Sequence, residues 1–176
     1  MNDVNKEPSN SSAGPNMSTG PTGMLHWLWI TGLVIVLDQW TKNMASANLE
    51  LYESIKVMPF FNITLAHNLG AAFSFLAGED GWQRWFFAVI AVAVSVVLVV
   101  WLYRLPKNDK WLAIALALIL GGAIGNVADR ILLGYVVDFL DVYWGQSHFP
   151  AFNIADSAIT VGAIMMGVDV FRNPNK

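Results

Sequence analysis

The sequence predicts an α-helical integral membrane protein with four transmembrane helices and a small extracytoplasmic β-sheet. Three observations predict it. Of 176 residues, 55% are hydrophobic and 13% charged, with a mean hydropathy of +0.47; a soluble domain carries about 25% charged residues. Four apolar segments are long enough for a hydrocarbon core about 30 Å thick, which takes roughly 17–25 residues per helix. Tryptophans stand near several segment ends (Trp27, Trp29, Trp40, Trp82, Trp85, Trp101, Trp111), as interfacial anchors do. The net charge of −3 gives no reason to expect nucleic acid as a partner. The absence of cysteine excludes disulfides, thiolate nucleophiles and thiolate metal sites.

Residues 1–24 are rich in Asn, Ser, Gly and Pro and read as a disordered tail with almost nothing to bury. The tail has no basic cluster followed by an apolar core, so it is not a secretory signal. Residues 25–172 are expected to form one four-helix membrane domain, and 173–176 a cytoplasmic end. The first span is Leu25–Lys42. The second, Trp82–Tyr103, is apolar on every face, which argues against a soluble bundle. The third, Trp111–Ala128, contains Gly121 and Gly125, four apart. The fourth, Ala155–Phe171, repeats that spacing with Ala158 and Gly162. Small residues so spaced let backbones approach closely, so the third and fourth helices are expected to pack tightly. The link "RLPKNDK" holds Arg104, Lys107 and Lys110 against Asp109, and the C-terminal end has Arg172 and Lys176. Both are therefore placed in the cytoplasm, which puts both termini inside and leaves Asn43–Gly81 and Asp129–Ile154 facing outward.

In the first outer loop, the alternation Asn62-Ile63-Thr64-Leu65-Ala66 predicts short strands. A sheet with open edges cannot sit in hydrocarbon, so it belongs on the outer membrane surface. The second outer loop is broken by Gly134, Gly145 and Pro150, and "VVDFLDVYW" reads as a short amphipathic piece at the interface. Leu69–Gly81 and Phe139–Phe149, with Gly78, Gly81 and Gly145, are expected to move and gate entry.

Polar residues collect near the outer helix ends: Asp38, Lys42, Asn68, Asn126, Asp129, Arg130, Asp138, Asn153 and Asp156. Ionisable groups at membrane depth are functional candidates, and their one-sidedness strengthens this. Each also has a plainer reading. Asp156 suits a helix start. Asp38 sits near a predicted helix C-terminus, where the dipole disfavours an acid, and Lys42 one turn on can pair with it. Asp129 and Arg130 read as a surface ion pair of little worth, or Arg130 reaches back to helix-end carbonyls. Asp138, between two valines and Phe139-Leu140, has no basic neighbour in sequence; Asp141 is its rival and reads as solvated.

His26, His67 and His148 are scattered, and there is no HExxH, which argues against a zinc protease. There is no G-x-S-x-G elbow and no Walker or dinucleotide glycine pattern. Ser46, Ser54, Lys42 and Lys56 have no spacing that supports a Ser–Lys dyad. Two carboxylates remain, Asp138 and Asp156. Brought within about 4 Å they would repel by ~4 kcal/mol at an effective dielectric of 20, which splits their titration by about three pK units. Such a pair titrates as a unit. It can deprotonate a water and protonate a peptide, the aspartic-protease arrangement, without metal or cofactor.

These residues stand in blocks that resemble the bacterial lipoprotein signal peptidases, or signal peptidases type II. The blocks are "LDQWTK", "HNLGAAFSFL", "GGAIGNVADR", "VVDF" and "FNIADSAITVG", and the likeness spans about Trp27 to Phe171. The resemblance implies a peptidase of the bacterial cytoplasmic (inner) membrane, with an extracytoplasmic loop or helix over a site near the outer face, acting on prolipoproteins whose cysteine already carries a diacylglyceryl group. It implies catalytic roles for Asp138 and Asp156, and orienting or substrate-binding roles for Asn126, Asn153, Asn68, Arg130, Asp38, Gly70 and Ala155. It implies membrane lipids as surroundings, inhibition by globomycin-type cyclic peptides, a monomer, and no metal or cofactor. The rivals are a small ion-coupled carrier, which needs polar access from both sides, and a non-catalytic scaffold, which has no use for a compact polar cluster.

Overall fold

A computed structural model describes residues 23–70 and 82–173. The predicted tail, apart from Gly23 and Met24, and most of the predicted gate Leu69–Gly81 lie outside the described residues. Four long helices run up and down: α1 (Leu28–Asn48), α2 (Trp82–Arg104), α3 (Lys110–Leu132) and α4 (Ile154–Arg172). Among the described residues α2, α3 and α4 are long and apolar enough to cross a membrane. The polar residues of α1 (Asp38, Gln39, Lys42, Asn43 and Asn48) dilute its apolar run. They also conceal its length, because α1 continues past the predicted end at Lys42 to Asn48. Asp38 is therefore mid-helix, and the dipole penalty expected for it does not arise. Gly23 and Met24, assigned by sequence to the tail, donate their N–H groups to Leu105 O (3.0 Å) and Leu102 O (3.1 Å). Met24 is buried in a cluster with Leu98, Leu102 and Leu116.

The central helix is α3, packed against α1, α2 and α4. The predicted α3–α4 approach is present, carried on α4 by the predicted Gly162 and on α3 chiefly by Gly122 in place of Gly121 and Gly125. A Cβ on Gly122 would run into the carbonyl oxygen of Ala155, and one on Gly162 would stand 2.7 Å from Ala115 O. Gly121 and Gly125 face α1: their Cβ atoms would meet Val34 at 2.8 Å and the Asp38 carboxylate at 2.7 Å. A spacing of four identifies a close-packing face without saying which neighbour occupies it.

At one end of the bundle lies an antiparallel sheet, order β1 (Ser54–Met58), β2 (Phe61–Asn68), β3 (Val136–Trp144), β4 (Ser147–His148). The alternation seen in sequence is β2. The segment "VVDFLDVYW", expected as an amphipathic piece and part of a mobile gate, is instead β3. It pairs with β2 on one side and with β4 on the other, and Phe152 bridges to Leu140. Its valines and aromatics suit a strand buried on its covered stretch, and Val136–Phe139 are all buried. Ala45, Leu65, Val137 and Phe139 form a second core cluster joining α1 to the sheet.

Candidate active site

Asp138 comes from β3, opposite Ala66 of β2. Asp156 comes from the first turn of α4. The start of α4 explains the position of Asp156: Asn153 is the N-cap, its Oδ1 accepting from Asp156 N–H (2.9 Å), while Asp156 Oδ2 accepts from Asn153 N–H (3.3 Å). This is a capping box, so the capping reading of Asp156 holds alongside any chemistry. Asn153 also joins the acids, because its Nδ2 donates to Asp138 Oδ1 (2.7 Å).

Three asparagines address the two carboxylates, each with its amide orientation fixed by an unambiguous donor on its oxygen. Asn68 Oδ1 accepts from Gly70 N–H (2.9 Å), leaving Nδ2 to donate to Asp138 Oδ2 (3.0 Å). Asn126 Oδ1 accepts from Lys42 Nζ (3.1 Å), and its Nδ2 donates to Asp156 Oδ1 (2.8 Å). Asn153 Oδ1 is held by Asp156 N–H, as above. A lysine has only donors, so Asn126 cannot be turned the other way. Gly70 has φ +105°, a left-handed conformation suited to glycine, and a Cβ there would stand 2.6 Å from the Phe87 ring.

Beneath these residues lies a buried ionic triad. Lys42 Nζ pairs with Asp38 Oδ2 (2.8 Å) and Asp129 Oδ2 (2.9 Å), all three side chains being at most 3% exposed. Asp129 therefore belongs to the interior and is no surface partner of Arg130. Gln39 Nε2 donates to Asp129 Oδ1 (2.8 Å). Asp38 Oδ1 accepts from Ala155 N–H (2.9 Å), and Asp129 Oδ2 from Val137 N–H (3.1 Å). Ala155 thus contributes its backbone. Arg130 does reach back to a helix-end carbonyl, Asn126 O (3.2 Å), and lies over the Phe87 ring at 5.5 Å. Sequence reasoning placed Lys42 and Asp129 in the outer polar cluster but read both as structural, and it did not single out Gln39.

Burial, and then the charge of Asp156, push the Asp138 carboxyl up to about 7. The bonds from Asn68 and Asn153 and the Lys42 cation act in the opposite direction. Among the described residues, neither Asp138 nor Asp156 is ion-paired with a lysine or arginine. Asp141, expected to be solvated, is buried: it accepts from Asn62 Nδ2 (2.8 Å) and meets His148 Nδ1 at 2.8 Å, on a different part of the sheet. No group of three or more potential ligands is placed to hold a metal among the described residues.

The model of the family described as signal peptidase (SPase) II matches residues 30–172. The chain belongs to the signal peptidase II family. Curated relatives agree. It is 60% identical over 161 residues to the lipoprotein signal peptidase of Pseudomonas putida, covering 90% of this chain and 94% of that one. It is 61% identical over 153 residues to that of Pseudomonas aeruginosa strain UCBPP-PA14, covering 86% and 90%. Its fold is similar to a solved bacterial membrane enzyme, with TM-score 0.77, 32% identity, and 89% and 94% of the two chains covered. As a signal peptidase II the chain is a membrane protease of lipoprotein processing, with a helical fold and a small antiparallel sheet.

Proposed function

We propose that this chain is an aspartic endopeptidase that removes the signal peptide from diacylglyceryl-modified prolipoproteins, with Asp138 and Asp156 as its catalytic pair. One observation carries the proposal: two acids from separate elements share Asn153, are supplied with amide donors and, among the described residues, have no cation bonded to them. With one proton between them, the ionised carboxylate takes a proton from water as its oxygen attacks the scissile carbonyl carbon. The protonated partner gives its proton to the carbonyl oxygen. Collapse of the tetrahedral intermediate breaks the C–N bond, and the leaving amine takes a proton from the dyad. Asn68, Asn126 and Asn153 orient the pair, Gly70 fixes Asn68, Asp38 and Ala155 set the start of α4, and Arg130 borders the cleft.

In this reading residues 25–172 are one membrane domain, and α1 is the fourth span. Its Asp38 and Lys42 are buried in protein, the arrangement that makes ionisable groups tolerable at membrane depth. The basic link between α2 and α3 is cytoplasmic, both termini are inside, and the sheet and site lie near the outer face of the bacterial inner membrane. The substrate's lipid chains stay in the bilayer. An apolar cavity of about 420 Å³ between α1 and the sheet, lined by Trp40, Met44, Ile55, Val57, Ile63 and Phe139, lies beside Asp138 in sequence through Phe139 and suits hydrocarbon. The enzyme works as a monomer and is inhibited by globomycin-type cyclic peptides at the dyad.

The test is cleavage of a lipid-modified prolipoprotein by purified protein. Asp138→Asn and Asp156→Asn are each expected to abolish it while insertion and folding persist. Full activity in either variant would sink the dyad.

A further inference from the structure

We propose that Lys42 is a positioning residue that registers both catalytic carboxylates from a single buried point. The inference rests on the reading of Asp138 and Asp156 as the catalytic pair. An ammonium offers three donors, and all three are used, on Asp38 (2.8 Å), Asp129 (2.9 Å) and Asn126 (3.1 Å). Each acceptor leads onward to the dyad. Asp38 grips the N–H of Ala155, the residue before Asp156. Asp129 grips the N–H of Val137, the residue before Asp138. Asn126, its oxygen held by Lys42, turns its NH₂ onto Asp156 itself (2.8 Å). The two backbone tethers are alike: each catalytic acid is preceded by a residue whose N–H is captured by an acid that Lys42 neutralises.

Stability alone is a weak reason for such a cluster. Replacing a buried ion group by apolar residues of similar volume is often neutral or stabilising. Two acids share one cation here, so charge balance is not complete either. What the cluster supplies is direction: three fixed bonds from one atom to α1, to the end of α3, and through them to β3 and α4. An arginine keeps the charge but spreads its donors over a planar fork, so it cannot reproduce three bonds diverging from one nitrogen.

The experiment compares Lys42→Arg and Lys42→Gln with the unaltered full chain in detergent or nanodiscs. It measures thermal unfolding, kcat and KM on a lipid-modified prolipoprotein, and the pH dependence of kcat. Lys42→Arg is expected to fold, to keep KM, and to lose kcat by ~100-fold, the scale of a 1 Å misplacement. In Lys42→Gln the alkaline limb of the pH profile is expected to move to higher pH. Asp138 faces Asp156 on α4, Arg130 on α3 and Lys42 on α1, and it loses the nearby α1 cation that favours its ionised form. A purely structural lysine would lower kcat only in step with the unfolded fraction and leave the profile unmoved.

Unaltered kcat in Lys42→Arg overturns the inference. So does a loss that tracks unfolding with an unmoved profile. Failure of both variants to fold also overturns it, since it makes Lys42 a residue of the fold alone. Asp138→Asn and Asp156→Asn run beside them: cleavage by either removes the dyad and the inference together. Dead dyad variants beside a fully active Lys42→Arg remove the inference alone.

Discussion

Two pairs of aspartates, all buried except the half-buried Asp156, meet at the same end of this bundle, and the groups that bond them differ. Asp38 and Asp129 share a lysine, while Asp138 and Asp156 share asparagines. A cation neutralises acids and commits them to holding backbone N–H groups. Amides satisfy the lone pairs of a carboxylate without neutralising it, so its proton affinity stays adjustable. Burial and then the charge of Asp156 push Asp138 up to about 7, against the opposing pull of its amide donors and of Lys42. On the proposed reading, burial by itself therefore does not distinguish a structural acid from a reactive one. The charge of its hydrogen-bond donors does.

The largest expected effect tests the amide-held pair. Asp138→Asn or Asp156→Asn should lower cleavage by about 10³-fold or more, the scale of losing a general acid or base, with thermal unfolding still cooperative. Next is the cation of the other pair: Lys42→Met leaves two buried acids uncompensated and should destabilise the fold by about 3–5 kcal/mol, read by denaturant unfolding in detergent. Gly122→Ala then asks whether the two pairs must be held together. The new Cβ would press on the Ala155 carbonyl, separating α3 from α4. A cost of roughly 1–3 kcal/mol and a fall in kcat are expected.

A subtler effect concerns pH. Because the folded protein binds a proton at Asp138 more tightly than the unfolded chain does, the stability this group contributes is complete below its ordinary value near 3.8. It is lost as pH rises through about 7. Asp138→Asn, which cannot ionise, should therefore melt higher than the unaltered protein at pH 8 and about equally at pH 4. The smallest effect belongs to Asp141. It is buried but occupied by Asn62 and His148, away from both pairs, so Asp141→Asn should leave kcat essentially unchanged. Loss of activity there would move the catalytic assignment along β3.

What could be read from the chain was what depends on neighbours in sequence. The apolar uniformity of α2, the alternation of β2 and the acid at the start of α4 are local signals, and each placed its element. Asn153 and Asp156, three apart, announced a helix start for the same reason. What could not be read depends on distant partners. Lys42 looked like an i,i+4 companion of Asp38, and its bond to Asp129 closes only when α1 meets α3. The faces of Gly121 and Gly125 were ambiguous because α3 touches three helices. "VVDFLDVYW" resembled an amphipathic segment because a strand covered on part of its length has the same mixture of apolar and acidic residues. Asp141 looked solvated because neither Asn62 nor His148 is adjacent to it. The α1 end was misplaced because Asn43 to Asn48 is polar enough to resemble a loop.

The capping box has a consequence for timing. The carboxylate that ties down the first turn of α4 is one that the proposed reaction loads and unloads with a proton. Each time Asp156 is protonated, its hold on Asn153 N–H, already the longer of the two cap bonds, weakens, and each time it ionises the hold returns. In the proposed reaction the root of α4 would thus be tightened and slackened once per turnover. The same beat would reach Asn153, and through its bond to Asp138 the second acid, so the helix end would serve as an escapement that advances with the proton it carries.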